Sequence, residues 1–256
     1  IDPTRHRLMI NDLVDSPSVC TMADLLRLPS VSRIHFLECG ANTGLEWGNV
    51  AVPTVQYTHG MLSASEFTGV PVSLLLERAG YDRQRARFLL AEGADGSGMT
   101  RTINLDAALD DAIVAYGQNG EMLRPENGYP LRLFIPGWEG NVCVKWIRRI
   151  KLGDEPWHIR SETARYTDPM RDGKWRQFSM EMEAKSVVTS PSGGMNIRPG
   201  IVEIQGFAWS GNGKVRTVDV TLDGGRTWRE ARVEEPVLDK SLTRFRYEFK
   251  WDGSPM

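Results

Sequence analysis

Cys39 sits in the middle of the segment His35-Phe36-Leu37-Glu38-Cys39-Gly40-Ala41-Asn42, a mainly apolar run that breaks off in small residues. The run reads as a buried strand, and the Gly-Ala-Asn exit lets a bulky group approach the backbone beside the thiol. A thiol so placed can ligate a metal or act as a nucleophile, because the thiolate is the reactive form in both cases. Isolated cysteines are more often plain buried residues, so the reading depends on what else the chain holds. Pro125-Glu126-Asn127-Gly128-Tyr129-Pro130-Leu131-Arg132 runs into Ile135-Pro136-Gly137-Trp138-Glu139-Gly140-Asn141-Val142-Cys143-Val144-Lys145-Trp146. Its glycines and prolines predict exposed backbone N–H groups beside two cations, Arg132 and Lys145, which together suit a phosphate. The segment is not a P-loop, since it has neither that glycine spacing nor a Lys-Ser/Thr pair after a strand. A third segment, Ser161 to Asp168, carries Tyr166, and Gly93-Ala94-Asp95-Gly96-Ser97-Gly98 holds Asp95 in a glycine-rich loop. On residue type alone, Arg132 could instead pair with a carboxylate, Tyr166 could simply pack, and Lys145 could lie on an exposed strand face.

The elements that must position these residues are short and mixed. Thr21 is a fitting N-cap for a helix over Met22 to Leu28. The run from Val70 to Leu76 reads as a helix that opens with Pro71 and stops at Gly80. Leu105 to Asp111 reads as another helix, and Phe88–Ala91, Ile113–Tyr116, Leu131–Ile135 and Val142–Ile150 read as strands. Beyond residue 182 the texture becomes β-rich. Val202–Ala208, Val215–Leu222 and Trp228–Val233 are separated by Ser210-Gly211-Asn212-Gly213 and Asp223-Gly224-Gly225-Arg226, which are hairpin turns by composition. That pattern predicts a β-sandwich. Thr221 to Trp228 also fits the Asp-box pattern of sialidase propellers, but a single copy without repeats cannot build one, so a tight turn with Trp228 packed across it is expected. Pro191-Ser192-Gly193-Gly194 is expected near the hinge between the two parts.

Composition bounds the rest. The chain has 256 residues, 41% hydrophobic and 25% charged, as globular proteins do. A formal charge of −2 argues against general nucleic-acid binding, and no apolar stretch approaches the roughly 20 residues of a membrane span. From Lys145 to Arg176 nine basic residues face five acidic ones, either a solvated face or a pocket for an anion. Cys20, Cys39 and Cys143 contain no C-x-x-C pair and cannot all be joined in disulfides. The chain starts at Ile1 and ends in Trp251-Asp252-Gly253-Ser254-Pro255-Met256, and both ends are expected to be cut.

Taken together, the Cys39 loop, the Arg132 to Trp146 segment, Tyr166 and the β-rich end resemble the sulfite oxidase family of molybdenum enzymes, in that family's order. Within it, His59-Gly60-Met61-Leu62-Ser63, Met182-Glu183-Ala184-Lys185-Ser186 and Asp223-Gly224-Gly225-Arg226-Thr227-Trp228 are most similar to the molybdenum subunits of sulfane dehydrogenases. The resemblance implies an α+β fold: a molybdopterin-binding catalytic domain over residues 1–181, incomplete at its N-terminus, then an immunoglobulin-like dimerisation β-sandwich over 182–256, truncated at its C-terminus.

It implies a molybdenum–molybdopterin cofactor with Cys39 as metal ligand and catalytic residue. Asp95, Asn127, Arg132, Cys143, Val144 and Lys145 would hold the pterin and its phosphate, Asn127 standing where the family commonly has His. Tyr166 would be the second catalytic residue, steering proton or substrate. The reaction implied is oxygen-atom transfer to a sulfur substrate, a protein-bound sulfane or sulfite. Electrons would pass to a separate c-type cytochrome subunit, since no haem-attachment C-x-x-C-H is present. Other implied partners are a sulfur-carrier protein or small sulfur oxyanion and a second copy of the chain, in the periplasm. One departure matters: sulfite-oxidising members carry an arginine five residues after the ligand cysteine, and here that residue is Gly44. Fewer cations should weaken binding of a compact dianion and favour an uncharged or carrier-bound sulfur. The alternatives are a plain sulfite dehydrogenase and a non-catalytic β-rich interaction protein lacking cofactor.

Overall fold

The computed structural model describes residues 1–48, 54–177 and 180–254. The chain divides into two compact units, one of residues 1–33 and 65–180, the other of 34–64 and 181–256. The fold is α+β, with short helices set among sheets.

The first unit is built on a five-stranded sheet in the order Ser18–Thr21, Arg7–Asn11, Ile147–Gly153, Phe88–Gly93, Thr100–Asn104. Only the pair Arg7–Asn11 and Ile147–Gly153 is parallel. Alternate residues Leu8 and Ile10, Leu89 and Ala91, Ile150 and Leu152 are buried, as the two-residue side-chain period of a strand requires. In a second sheet Leu62–Pro71 pairs with Ile113–Gln118, which also pairs with Glu121–Met122 and Arg132–Phe134.

The helices follow their sequence signals. Thr21 and Asp24 form a capping box at Met22–Leu25, satisfying two of the helix's free N–H groups. Helix Val72–Ala79 buries Val72, Leu75, Leu76 and Ala79 and ends at Gly80, whose φ of 67° is left-handed, the usual glycine stop. It begins later than expected, because Val70 and Pro71 still belong to strand Leu62–Pro71. Helix Leu105–Asp110 is capped by Asn104. The strand expected over Val142–Ile150 is replaced by a 3-10 turn at Gly140–Val142 and a strand that starts at Ile147. Trp146, with φ 54°, turns the chain between them.

The second unit has a four-stranded antiparallel sheet, Lys185–Ser190, Gly200–Trp209, Thr243–Trp251 and Arg232–Val233, and a two-stranded one, Asp219–Val220 with Arg229–Glu230. Residues from both sheets share one core of Ala208, Val218, Val220, Ala231 and Phe245, the arrangement of a sandwich. The other face of Gly200–Trp209 presents Phe207 and Trp209 to a second cluster with Phe36, Leu62 and Met182. Segment 34–64 therefore packs with the β-rich part, which makes this unit discontinuous and departs from the unbroken division expected at 181/182. Two further expectations are corrected. Pro191 to Gly194 lies inside this unit, between paired strands Lys185–Ser190 and Gly200–Trp209, rather than at the break near 180. Trp228 approaches the site of a Gly225 Cβ at 3.9 Å but remains 56% exposed; the turn is held by Asp223, which accepts bonds from the N–H groups of Arg226 and Thr227 and from both neighbouring threonine hydroxyls.

Candidate active site

Arg132 opens strand Arg132–Phe134 and is bridged to Lys145. Its side chain is buried, 5% exposed, above the ring of Phe67 at 5.8 Å. Nη1 donates to the carbonyl of Asn127 at 3.1 Å and Nη2 to that of Cys143 at 3.3 Å, while Nε has no partner among the described residues. Burial pushes the pKa of the guanidinium down, opposed by the nearby Cys143. Neither Arg132 nor Lys145 has a carboxylate partner among the described residues. Lys145 donates to the carbonyl of Glu126 at 2.9 Å, and Trp146 Nε1 to that of Pro125 at 3.1 Å. Three side chains, of Arg132, Lys145 and Trp146, thus hold the turn Pro125–Asn127 by its carbonyls. Gly128 makes this approach possible: its φ is 109°, and a Cβ there would lie 3.0 Å from Lys145 Cβ and 3.1 Å from Arg132 Cβ. Asn127 is half-buried, its amide donating to Gln118 Oε1 at 3.1 Å.

Cys143 is buried, with Sγ bonded to the N–H of Ile135 at 3.4 Å, and burial raises the pKa of its thiol. It is a core residue whose carbonyl serves Arg132. The N–H groups of Cys143 and Val144 bond to the carbonyls of Gly140 and Val142, so they are not the free donors anticipated there. Asp95 lies beside this segment, since Ala94 N–H donates to Trp146 O at 2.8 Å. Its carboxylate accepts from Ser97 Oγ and from Met99 N–H, and these bonds, Ser97 first, hold its pKa below the usual carboxylate value. Asp95, Asn127, Arg132, Cys143, Val144 and Lys145 are therefore connected within the first unit.

Tyr166 caps helix Arg160–Arg165. The Arg101 guanidinium stands 5.5 Å from its ring centre, and Arg101 also donates to Asn141 Oδ1 at 3.1 Å and Ser161 Oγ at 3.3 Å. Sequence reasoning missed Arg101; a single cation in a strand gives no signal of this role. It also passed over Glu162, which is 1% exposed and accepts the Thr102 N–H on Oε1 at 2.7 Å, while Oε2 has no partner among the described residues. Burial raises its pKa, opposed by the bonds from Thr102 and by Arg101. Most of the basic run is a solvated face: Arg148 and Arg149 pair with Glu92, Lys151 with Asp12, Lys174 with Asp172 and Arg176 with Asp168.

Cys39 belongs to the second unit and is exposed. Its N–H donates to Met61 O at 3.0 Å and its C=O accepts from Asn42 N–H at 2.9 Å. Among the described residues no three His, Cys, Asp or Glu gather to hold a metal, so a metal at Cys39 would draw its other donors from outside this residue set. The buried guanidinium, without a carboxylate partner among the described residues and with a lysine beside it, fits an anionic organic ligand; separately, an exposed cysteine is of the type that suits a soft metal.

Residues 1–160 match the oxidoreductase molybdopterin-binding domain and residues 176–251 the Mo-co oxidoreductase dimerisation domain. The NADH nitrate reductase of Ulva prolifera is 31% identical over 87% of this chain and 29% of its own length. The mitochondrial sulfite oxidase of Rattus norvegicus is 30% identical over 91% of this chain and 46% of its own. The chain thus spans less than half the length of these relatives. The sulfane dehydrogenase SoxCD of Paracoccus pantotrophus contains a chain with 48% identity and a TM-score of 0.91, over 99% of this chain and 66% of that one.

Proposed function

Because the chain belongs to the sulfite oxidase family of molybdopterin-binding oxidoreductases, we propose that it oxidises a sulfur substrate by oxygen-atom transfer, as a sulfane dehydrogenase. Molybdenum–molybdopterin, the family's cofactor, supplies the two-electron redox chemistry and the transferred oxygen when bound. The observation that carries the reading is the buried Arg132 guanidinium, bonded among the described residues only to neutral carbonyls. A buried cation without a counter-charge is costly, and the pterin phosphate would be that charge. Arg132 and Lys145 would bind it, with Asn127 and Asp95 offering polar contacts to the pterin and the backbone of Cys143 and Val144 keeping Arg132 in place. Cys39 would supply the thiolate, and Tyr166 would orient substrate or hold a proton at its hydroxyl.

The sulfane assignment is supported by the 48% identity to the SoxCD chain and by Gly44 in place of a cation. A c-type cytochrome as electron acceptor, a sulfur-carrier protein as donor, a homodimer and a periplasmic site complete the proposal; the dimerisation-domain match supports the homodimer. The test is molybdenum content together with steady-state kinetics on free sulfite and protein-bound sulfane, with cytochrome c as acceptor. Preference for the bound sulfane is expected. Preference for sulfite would make the protein a sulfite dehydrogenase, and full-length protein without molybdenum would leave the non-catalytic reading.

A further inference from the structure

We infer that Glu38 is a positioning residue: through Asn42 it sets the backbone turn that presents the Cys39 thiol, and through Lys185 and Trp209 it anchors that turn to the β-rich core. The inference rests on the reading of Cys39 as the metal's ligand.

Glu38 ends strand Val31–Glu38 and is wholly buried, at 0% exposure. Its Oε1 accepts from Lys185 Nζ at 2.6 Å and from Asn42 Nδ2 at 2.9 Å; Oε2 accepts from Trp209 Nε1 at 2.7 Å. Burying an ion pair rarely adds stability over apolar residues of the same volume, so stability alone gives no reason for a carboxylate here. Direction does. Asn42, itself 3% exposed, carries the restraint onward. Its Oδ1 accepts the Met61 N–H at 3.1 Å, and its own N–H donates to the Cys39 carbonyl at 2.9 Å. Met61 closes the ring by accepting the Cys39 N–H at 3.0 Å. Both peptide groups around the Cys39 side chain are thereby held, while the residue itself is exposed. Successive side chains at a strand end point to opposite sides, so a carboxylate locked inward turns the next side chain outward. Partners that orient a metal's ligand commonly matter almost as much as the ligand.

The test compares Glu38→Gln, Asn42→Ala, Trp209→Phe and Cys39→Ser as full-length holoenzymes, reading molybdenum content, the Mo(V) electron paramagnetic resonance signal, the molybdenum midpoint potential and kcat against KM. Glu38→Gln and Asn42→Ala are each expected to lower kcat by about 10–100-fold with little change in KM. Both should alter the Mo(V) signal and shift the potential, with Trp209→Phe changing them in the same direction by less. The double variant Glu38→Gln/Asn42→Ala should be no worse than either single one, because the two residues act in series. An unaltered Mo(V) signal and potential in Glu38→Gln and Asn42→Ala, with only the melting temperature lowered, would overturn the inference. Should Glu38→Gln fail to fold, the same readouts on Asn42→Ala and Trp209→Phe decide it. Loss of the native signal in Cys39→Ser alone leaves the ligand reading standing and removes only Glu38. A native signal in Cys39→Ser removes both.

Discussion

Cys39 is an exposed residue on a turn held at both its peptide groups, which separates its chemistry from the stability of the fold. Cys39→Ser should abolish turnover and change unfolding free energy by no more than about 0.5 kcal/mol; Cys20→Ser should leave turnover unchanged. Equal loss of turnover in the two variants would remove Cys39 from the site. Arg132→Ala and Lys145→Ala each delete a charge-assisted bond of about 1.5–3 kcal/mol, so bound molybdopterin, measured after release from purified protein, should fall in both. Full occupancy with lowered stability would make them structural residues. Glu162 gives a pH prediction. Its native pKa is raised by burial, so above 4.5, where the unfolded chain ionises, folding must keep a proton the unfolded state gives up. Stability from this group is complete below that value and lost as pH rises to the native pKa. The melting temperature of Glu162→Gln should therefore gain on the wild type as pH rises above 4.5, and a constant gap would refute the assignment. At this scale two placements were legible in the sequence: Cys39 at the exit of a strand, and Arg132 beside Lys145. Arg101, Asn42 and Glu162 work through contacts made only after folding, and no local pattern marks them.

Among the elements, those with local capping chemistry were legible: Thr21 starts a helix, Gly80 ends one and Asp223 organises a turn. The expected strand over Val142–Ile150 failed because the left-handed Trp146 and the 3-10 turn answer to the packing of neighbouring loops rather than to hydrophobic period. The Asp223 turn has its own pH signature. Bonds from Thr227 first, and then from Thr221 and Arg226, lower the carboxyl pKa from 3.8 to about 2. The support it gives is present above 3.8 and lost as pH falls toward 2; Asp223→Asn should flatten the acid limb of the melting curve in that window. The turn at Gly44 bears on substrate choice. Its backbone is not left-handed and a Cβ there meets nothing within 4 Å among the described residues, so both Gly44→Arg and its control Gly44→Ala should fold. After desolvation, a net electrostatic gain of about 1 kcal/mol for sulfite amounts to roughly a fivefold lower KM. Gly44→Arg should show it while oxidising carrier-bound sulfane more slowly, and an unchanged preference would take this position out of the specificity argument.

For the whole molecule, composition and texture were enough to place an α+β part before a β-rich one, because side-chain periods are local. They could not show that residues 34–64 leave the first unit and join the second, since that depends on Phe36 and Leu62 meeting Trp209 and Met182 across more than a hundred residues. A fragment of residues 1–180 should consequently fold poorly. It would expose Phe36, otherwise 1% exposed, and leave the Glu38 carboxylate without Lys185 and Trp209. Dye binding and gel filtration should report a sticky, loosely packed species, whereas a monodisperse fragment with a sharp thermal transition would contradict this. The same threading limits how such proteins can be recombined. A crossover near residue 180 between two family members looks harmless on a domain diagram, yet it would seat one parent's cysteine loop on the other parent's sandwich. Such hybrids need the 34–64 segment to travel with the C-terminal half, so the two distant stretches of gene have to be inherited as one piece.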